Sequence, residues 1–162
     1  MRSDDMTSQT IELVEAGPDA PEALALIQEL SMSLAAITGD DGRKNFSADS
    51  VQTPRARFVV ARLDGEPVGC GALRPLELPG HAHVCEIKRM YARTARRGVG
   101  SAILRHLERE AAMLDYTHAW LETRRVNAVA VGFYTRHGYA ERANYGTYVG
   151  RPEAVCFEKR IA

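Results

Sequence analysis

The sequence predicts a single α/β domain with a mixed, mostly antiparallel central sheet flanked by helices. Three observations carry that expectation. Residues 84–104, VCEIKRMYARTARRGVGSAIL, pass from an apolar-leaning strand through a basic, glycine-punctuated turn into an amphipathic helix. Two apolar runs, Phe58–Leu63 and Val68–Leu73, flank Asp64-Gly65, a strong hairpin signal, so this part of the sheet is antiparallel. The remainder reads helix, strand, helix, strand, strand, which interleaves helices with the sheet. At 162 residues, the chain has the length of one domain with a sizeable core. Residues 1–162 are therefore expected to form one unit, with 1–9 as a flexible N-terminus.

The elements follow in order. Ile11–Val14 is a short first strand. Asp19-Ala20-Pro21-Glu22 has the makings of a helix start, with a capping residue, a proline in the first turn and a carboxylate three residues on. Leu24, Ile27, Leu30 and Leu34 recur at helical spacing, and Gly39 is placed to end the helix. Residues 40–56 are polar and irregular, a loop or a short helix. After the hairpin, Pro75, Pro79 and Gly80 mark a loop before the strand Val84–Tyr91. Ile103, Leu104, Leu107, Ala111 and Leu114 give the next helix one apolar face. Trp120–Thr123 is a strand. Asn127 caps a helix that Gly138 stops. Tyr139–Arg142 and Ala154–Arg160 are two closing strands joined by a glycine- and tyrosine-rich loop.

Composition narrows the function. The net formal charge is zero, against the strongly basic balance of a dedicated nucleic-acid binder. Yet Lys88, Arg89, Arg93, Arg96, Arg97, Arg105 and Arg109 crowd one region, which suits a small polyanionic ligand. Cys70, Cys85 and Cys156 are odd in number and widely spaced, so buried free thiols are expected rather than a disulfide framework or zinc site. The polar N-terminus has no signal-peptide core, and no apolar run approaches the roughly 18 residues of a membrane span. A cytoplasmic location is the expectation.

The junction at 91–101 is suited to an anion. The first four N–H groups of a helix lack internal partners, and the helix dipole places about half a positive charge there. Arg96 and Arg97 add cationic forks, and Gly98 and Gly100 remove β-carbons that would hold a ligand off the backbone. Two common phosphate motifs do not fit. Gly100 runs into Ser101 with no P-loop lysine, and Ile103 stands where a dinucleotide fingerprint needs a small residue. The stretch reads as a pyrophosphate cradle, with a plain strand-to-helix turn bearing solvated arginines as the alternative.

From Ile11 to Arg160 the chain resembles the GNAT superfamily of acyl-CoA-dependent N-acyltransferases. EIKRMYARTARRGVGSAIL (86–104) is similar to its pyrophosphate loop, NAVAVGFYTRHGY (127–139) to its Asn-to-Phe-Tyr helix, and VCFEKRI (155–161) to its last strand. Ala95 departs from the family, which usually carries Gln or Arg there. The resemblance implies a GNAT-like fold and direct transfer of an acetyl group from acetyl-CoA to an amine acceptor. It implies a cofactor site at Met90, Tyr91, Ala92, Arg96, Arg97, Gly98, Val99, Gly100, Ser101, Asn127 and Phe133, and makes a homodimer plausible. Asn127 is read equally well as a helix cap alone.

The chemistry asks most of a base, because an amine of pKa about 10.4 is almost wholly protonated at neutral pH. The resemblance implies that role for Glu86, since many members carry a glutamate base on this strand. The alternative is an ion pair with Lys88, two residues on and on the same face. Tyr134 is the expected acid, donating to the departing sulfur, with packing beside Phe133 as the alternative. His81 and His83 read as loop histidines rather than a metal pair, and Cys85 as core. Tyr145, Tyr148 and Arg151 either border the amine site or cover the sheet edge. Asp40 and Asp41 hint at a cationic amine. The rival readings are a non-catalytic acyl-CoA sensor and a nucleic-acid binder using the arginines.

Overall fold

A computed structural model describes residues 10–41, 53–93 and 98–162. Seven strands form one sheet: β1 (Ile11–Glu15), β2 (Arg57–Leu63), β3 (Glu66–Pro75), β4 (Val84–Ala92), β5 (His118–Arg124), β6 (Ala140–Arg142) and β7 (Ala154–Arg160). Their spatial order is β1-β2-β3-β4-β5-β7-β6, and every pairing is antiparallel except β4 with β5. Among the described residues three helices flank it, α1 (Pro21–Thr38), α2 (Val99–Met113) and α3 (Ala128–Arg136), with a 3-10 turn at Gly146–Tyr148.

Strand alternation divides the core into layers. On β2, Val59 and Ala61 face α2, where they meet Ile103, Leu104 and Leu107. Phe58 and Val60 face α1, against Ala23 and Leu26. A third cluster, around Trp120, Tyr145, Tyr148 and Cys156, packs where the last loop crosses the sheet.

The hairpin at Asp64-Gly65 forms as expected, both residues taking positive φ (53° and 81°). The start of α1 differs from expectation. Its N-cap is Ala20, with no side-chain cap, and Pro21 opens the first turn. Leu24, counted in the apolar stripe, is 53% exposed; Ala23, Leu26 and Leu30 form the buried face. Gly39 ends α1 with φ 80°.

One irregularity shapes the centre. Cys70 lies opposite Tyr91 and Ala72 opposite Lys88, so Arg89 and Met90 together oppose Gly71. This β-bulge puts Arg89 at φ 54°. A β-carbon at Gly71 would sit 2.7 Å from the Met90 sulfur and from Ile103, and one at Gly69 2.6 Å from the Tyr91 carbonyl oxygen. Glycine at both positions lets the bulge and α2 close on β3.

Candidate active site

β4 and β5 are parallel partners only over Val84–Glu86 and His118–Trp120. Past that point the ladder stops while both strands continue, and the fork opens into a cavity of about 580 Å3. Its wall is made by β4 from Ile87 to Ala92, β5 from Glu122 to Arg124, the first turn of α2, the inner face of α3, the end of α1, and Tyr148.

The first turn of α2 reaches this cavity at Gly98, Gly100 and Ser101. Gly98 holds the N-cap at φ 69° and provides no side chain to cap the helix N–H groups. A β-carbon at Gly100 would lie 3.2 Å from Phe133, so glycine sets the approach of α2 to α3. Asn127 caps α3, its Oδ1 accepting from Ala130 N at 3.2 Å, and it also lines the cavity. His137 Nδ1–H donates to the Phe133 carbonyl at 2.7 Å. Nε2 of the same ring is hydrogen-bonded to Ser101 Oγ at 2.8 Å, which fastens α3 to α2.

Residues 24–139 match the model of the Acetyltransferase (GNAT) family. The chain belongs to that family. An IAA acetyltransferase from Azospirillum brasilense is 28% identical over 153 residues, covering 93% of this chain and 98% of that protein. A Klebsiella pneumoniae structure assigned to the acyl-CoA N-acyltransferases superposes with a TM-score of 0.77 at 25% identity, over 94% of this chain and 99% of its own. The PaiA N-acetyltransferase of Thermoplasma acidophilum, solved in complex with coenzyme A, shares the fold at a TM-score of 0.70 and 19% identity, over 93% and 99% of the two chains.

This GNAT chain brings most of the residues singled out in the sequence to one cavity. Met90, Tyr91, Ala92, Gly98, Gly100, Ser101, Asn127, Phe133 and Tyr134 all line it. Val99 does not; its side chain is fully buried in the core. Arg96 and Arg97 lie outside the described residues. The described members of the basic cluster do not converge either. Arg89 is buried and turned to α1, donating to Ser31 Oγ at 2.6 Å, while Arg93 pairs with Glu29 at 2.6 Å. Arg105 and Arg109 are exposed on α2.

Glu86 sits behind the wall. It is 4% exposed and is not part of the cavity lining. Arg74 Nε and Nη2 both donate to its Oε1 at 3.0 and 2.9 Å, and the Tyr145 hydroxyl donates to Oε2 at 2.7 Å. The ion pair with Lys88 suggested by strand alternation is absent: Lys88 Nζ instead donates to the Tyr148 hydroxyl at 3.0 Å. In the last loop, Tyr145 holds Glu86 and Tyr148 lines the cavity. Asp40 is taken up by Arg124 at 2.8 Å.

Tyr134 is buried at the cavity wall, and burial alone pushes its phenol well above the usual range. Its hydroxyl makes no hydrogen bond among the described residues. Glu122 is the group that sequence reading missed. It lines the cavity with its side chain only 10% exposed, and burial raises its carboxyl above the ordinary range. A strand that alternates into a fork is the signal that could have found it, but the fork itself is not visible in a sequence. Cys85 and Cys70 are buried free thiols pushed up to about 12, which makes them inert. Among the described residues no cluster of His, Cys, Asp and Glu could hold a metal. No helix there is long and apolar enough to cross a membrane.

Proposed function

We propose that this chain transfers the acetyl group of acetyl-CoA directly to the nitrogen of a primary amine. One observation carries the reading. A helix N-terminus opened by Gly98 and a tyrosine whose hydroxyl makes no hydrogen bond among the described residues line one cavity, at the point where a parallel strand pair opens.

The parts have separate tasks. Main-chain N–H groups at Gly98, Gly100 and Ser101 hold the diphosphate, aided by the helix dipole. The cofactor arm runs along Met90, Tyr91 and Ala92, where β4 has no partner in β5 and its backbone groups are available. An N–H near Met90 polarises the thioester carbonyl. Phe133 and Asn127 face the arm from α3. Tyr134 gives its proton to the departing thiolate and is kept protonated until then by burial. The name of the A. brasilense relative and the CoA bound in the T. acidophilum structure are consistent with this use of the cavity.

Mass spectrometry of the protein with acetyl-CoA and a broad amine panel tests the proposal. Acetylated amine and free CoA, formed together, are the expected products. CoA binding with no product from any amine would replace an enzyme by an acyl-CoA sensor.

A further inference from the structure

The same alternation that builds β4 and β5 places an acid and a base across the fork. Glu86 and Trp120 are the last paired residues of the parallel ladder. Two residues on, with the same facing, stand Lys88 on β4 and Glu122 on β5. In a continuing sheet these would be a cross-strand ion pair. Here the strands part and no such pair forms. Both residues line the cavity, and Lys88 has Tyr148 as its hydrogen-bond partner.

Each charge is left short of what burial demands. Glu122 Oε2 is buried without a hydrogen bond; Arg124 Nε is 3.5 Å away, and that guanidinium is shared with Asp40 at 2.8 Å and Glu153 at 3.7 Å. Lys88 makes no ion pair among the described residues. Glu122 has only a long ion pair with a shared guanidinium and Lys88 only a neutral hydroxyl, so both suit a ligand charge of opposite sign. Leu30, Leu34 and Ile37 of α1 supply an apolar wall to the same cavity.

We propose that the acceptor is a free amino acid, its ammonium nitrogen held and deprotonated by Glu122 and its carboxylate held by Lys88, with an apolar side chain against α1. This rests on the acetyl-transfer reading and moves the proton acceptor from Glu86 to Glu122. The balance is straightforward. Glu122 takes one proton from the ammonium, and the freed amine forms a C–N bond to the acetyl carbon. The C–S bond breaks, and the thiolate leaves with the Tyr134 proton. The second amine proton restores Tyr134, and the proton on Glu122 passes to water. The raised carboxyl of Glu122, set by burial against the opposing pull of Arg124 and Lys88 and reinforced by Glu86 and Asp40, suits a base better than an ordinary glutamate does.

Initial-rate kinetics with acetyl-CoA test this on matched pairs, leucine against 3-methylbutylamine and phenylalanine against 2-phenylethylamine. The expected kcat/KM is at least ~10-fold higher for the amino acid in each pair, the effect of one charge-assisted contact. Lys88→Met should bring that ratio close to one. Glu122→Gln should lower kcat by ~100-fold on every substrate and remove the acidic limb of the pH–rate profile. An acetyl-CoA dissociation constant near the parent's identifies correctly folded variants. Equal rates within the pairs, or a Glu122→Gln variant with the parent's kcat and pH profile, would overturn this inference while leaving acetyl transfer intact. Bound acetyl-CoA with no transfer to any of these four amines would likewise overturn this inference, and only the absence of product across the broad amine panel would overturn acetyl transfer as well.

Discussion

A carboxylate on a central strand either faces a substrate or satisfies a neighbouring cation, and Glu86 satisfies Arg74 and Tyr145. Glu86→Ala is therefore expected to lower stability by about 3 kcal/mol, because it removes the acidic half of a mostly buried ion pair and the acceptor of the buried Tyr145 hydroxyl. A shift of the urea midpoint measures this; an unchanged midpoint would mean that these contacts contribute nothing to the fold. Tyr134 is the opposite case. Its hydroxyl has no hydrogen bond to lose, so Tyr134→Phe should cost less than about 1 kcal/mol of stability. It should lower kcat by ~100-fold with acetyl-CoA affinity retained. Equal kcat for variant and parent removes Tyr134 from the proton path. The sequence reveals both residues as chemically capable, but not their partners. Tyr145 reaches Glu86 from 59 positions away, a contact no local pattern encodes.

At the scale of elements, local devices are legible and long-range ones are not. The hairpin at Asp64-Gly65, the Asn127 cap and the Gly39 stop each depend on a few adjacent residues, and each forms. The β4–β5 fork depends on residues 84–86 meeting 118–120 and then separating, which periodicity does not report. The bulge had a signal in the alternating glycines of Gly69-Cys70-Gly71, which mark close backbone approach. Gly69→Ala should cost about 2 kcal/mol, since its β-carbon would meet the Tyr91 carbonyl at 2.6 Å. Thermal melting checks this, and a fully stable variant would show that β3 can yield. Helix α1 is tied to β4 by Glu29, which accepts from Tyr91 at 3.0 Å and Arg93 at 2.6 Å. The hydrogen bond from Arg93 is the main reason that the Glu29 carboxyl lies below its ordinary value. A depressed carboxyl stabilises the fold above its unfolded pKa and loses that contribution as pH falls through the lower folded value. Amide protection factors on α1, corrected for the intrinsic exchange rate at each pH, should accordingly fall modestly at pH values below the ordinary glutamate range, and Glu29→Gln should lower them already at neutral pH. Exchange on α1 that ignores both changes would place its anchorage elsewhere, in the buried Arg89–Ser31 contact.

For the whole molecule, the surplus of basic residues near 88–109 suggested a concentrated anion site, and the fold disperses its described members. Arg89 and Arg93 go to α1, Arg105 and Arg109 to the surface, and Lys88 to the cavity wall. What concentrates the site is backbone: the parted strands and the glycine-opened start of α2. A ligand gripped by main-chain groups should be more sensitive to added side-chain bulk than to the loss of any one exposed arginine. Calorimetric titration of acetyl-CoA into the parent and a Gly100→Leu variant puts that directly. Saturable binding of one acetyl-CoA per chain is predicted, weakened by at least ~10-fold in the variant under conditions where its far-UV circular dichroism shows it folded. Equal affinity in the two proteins, or no heat with the parent, would contradict it.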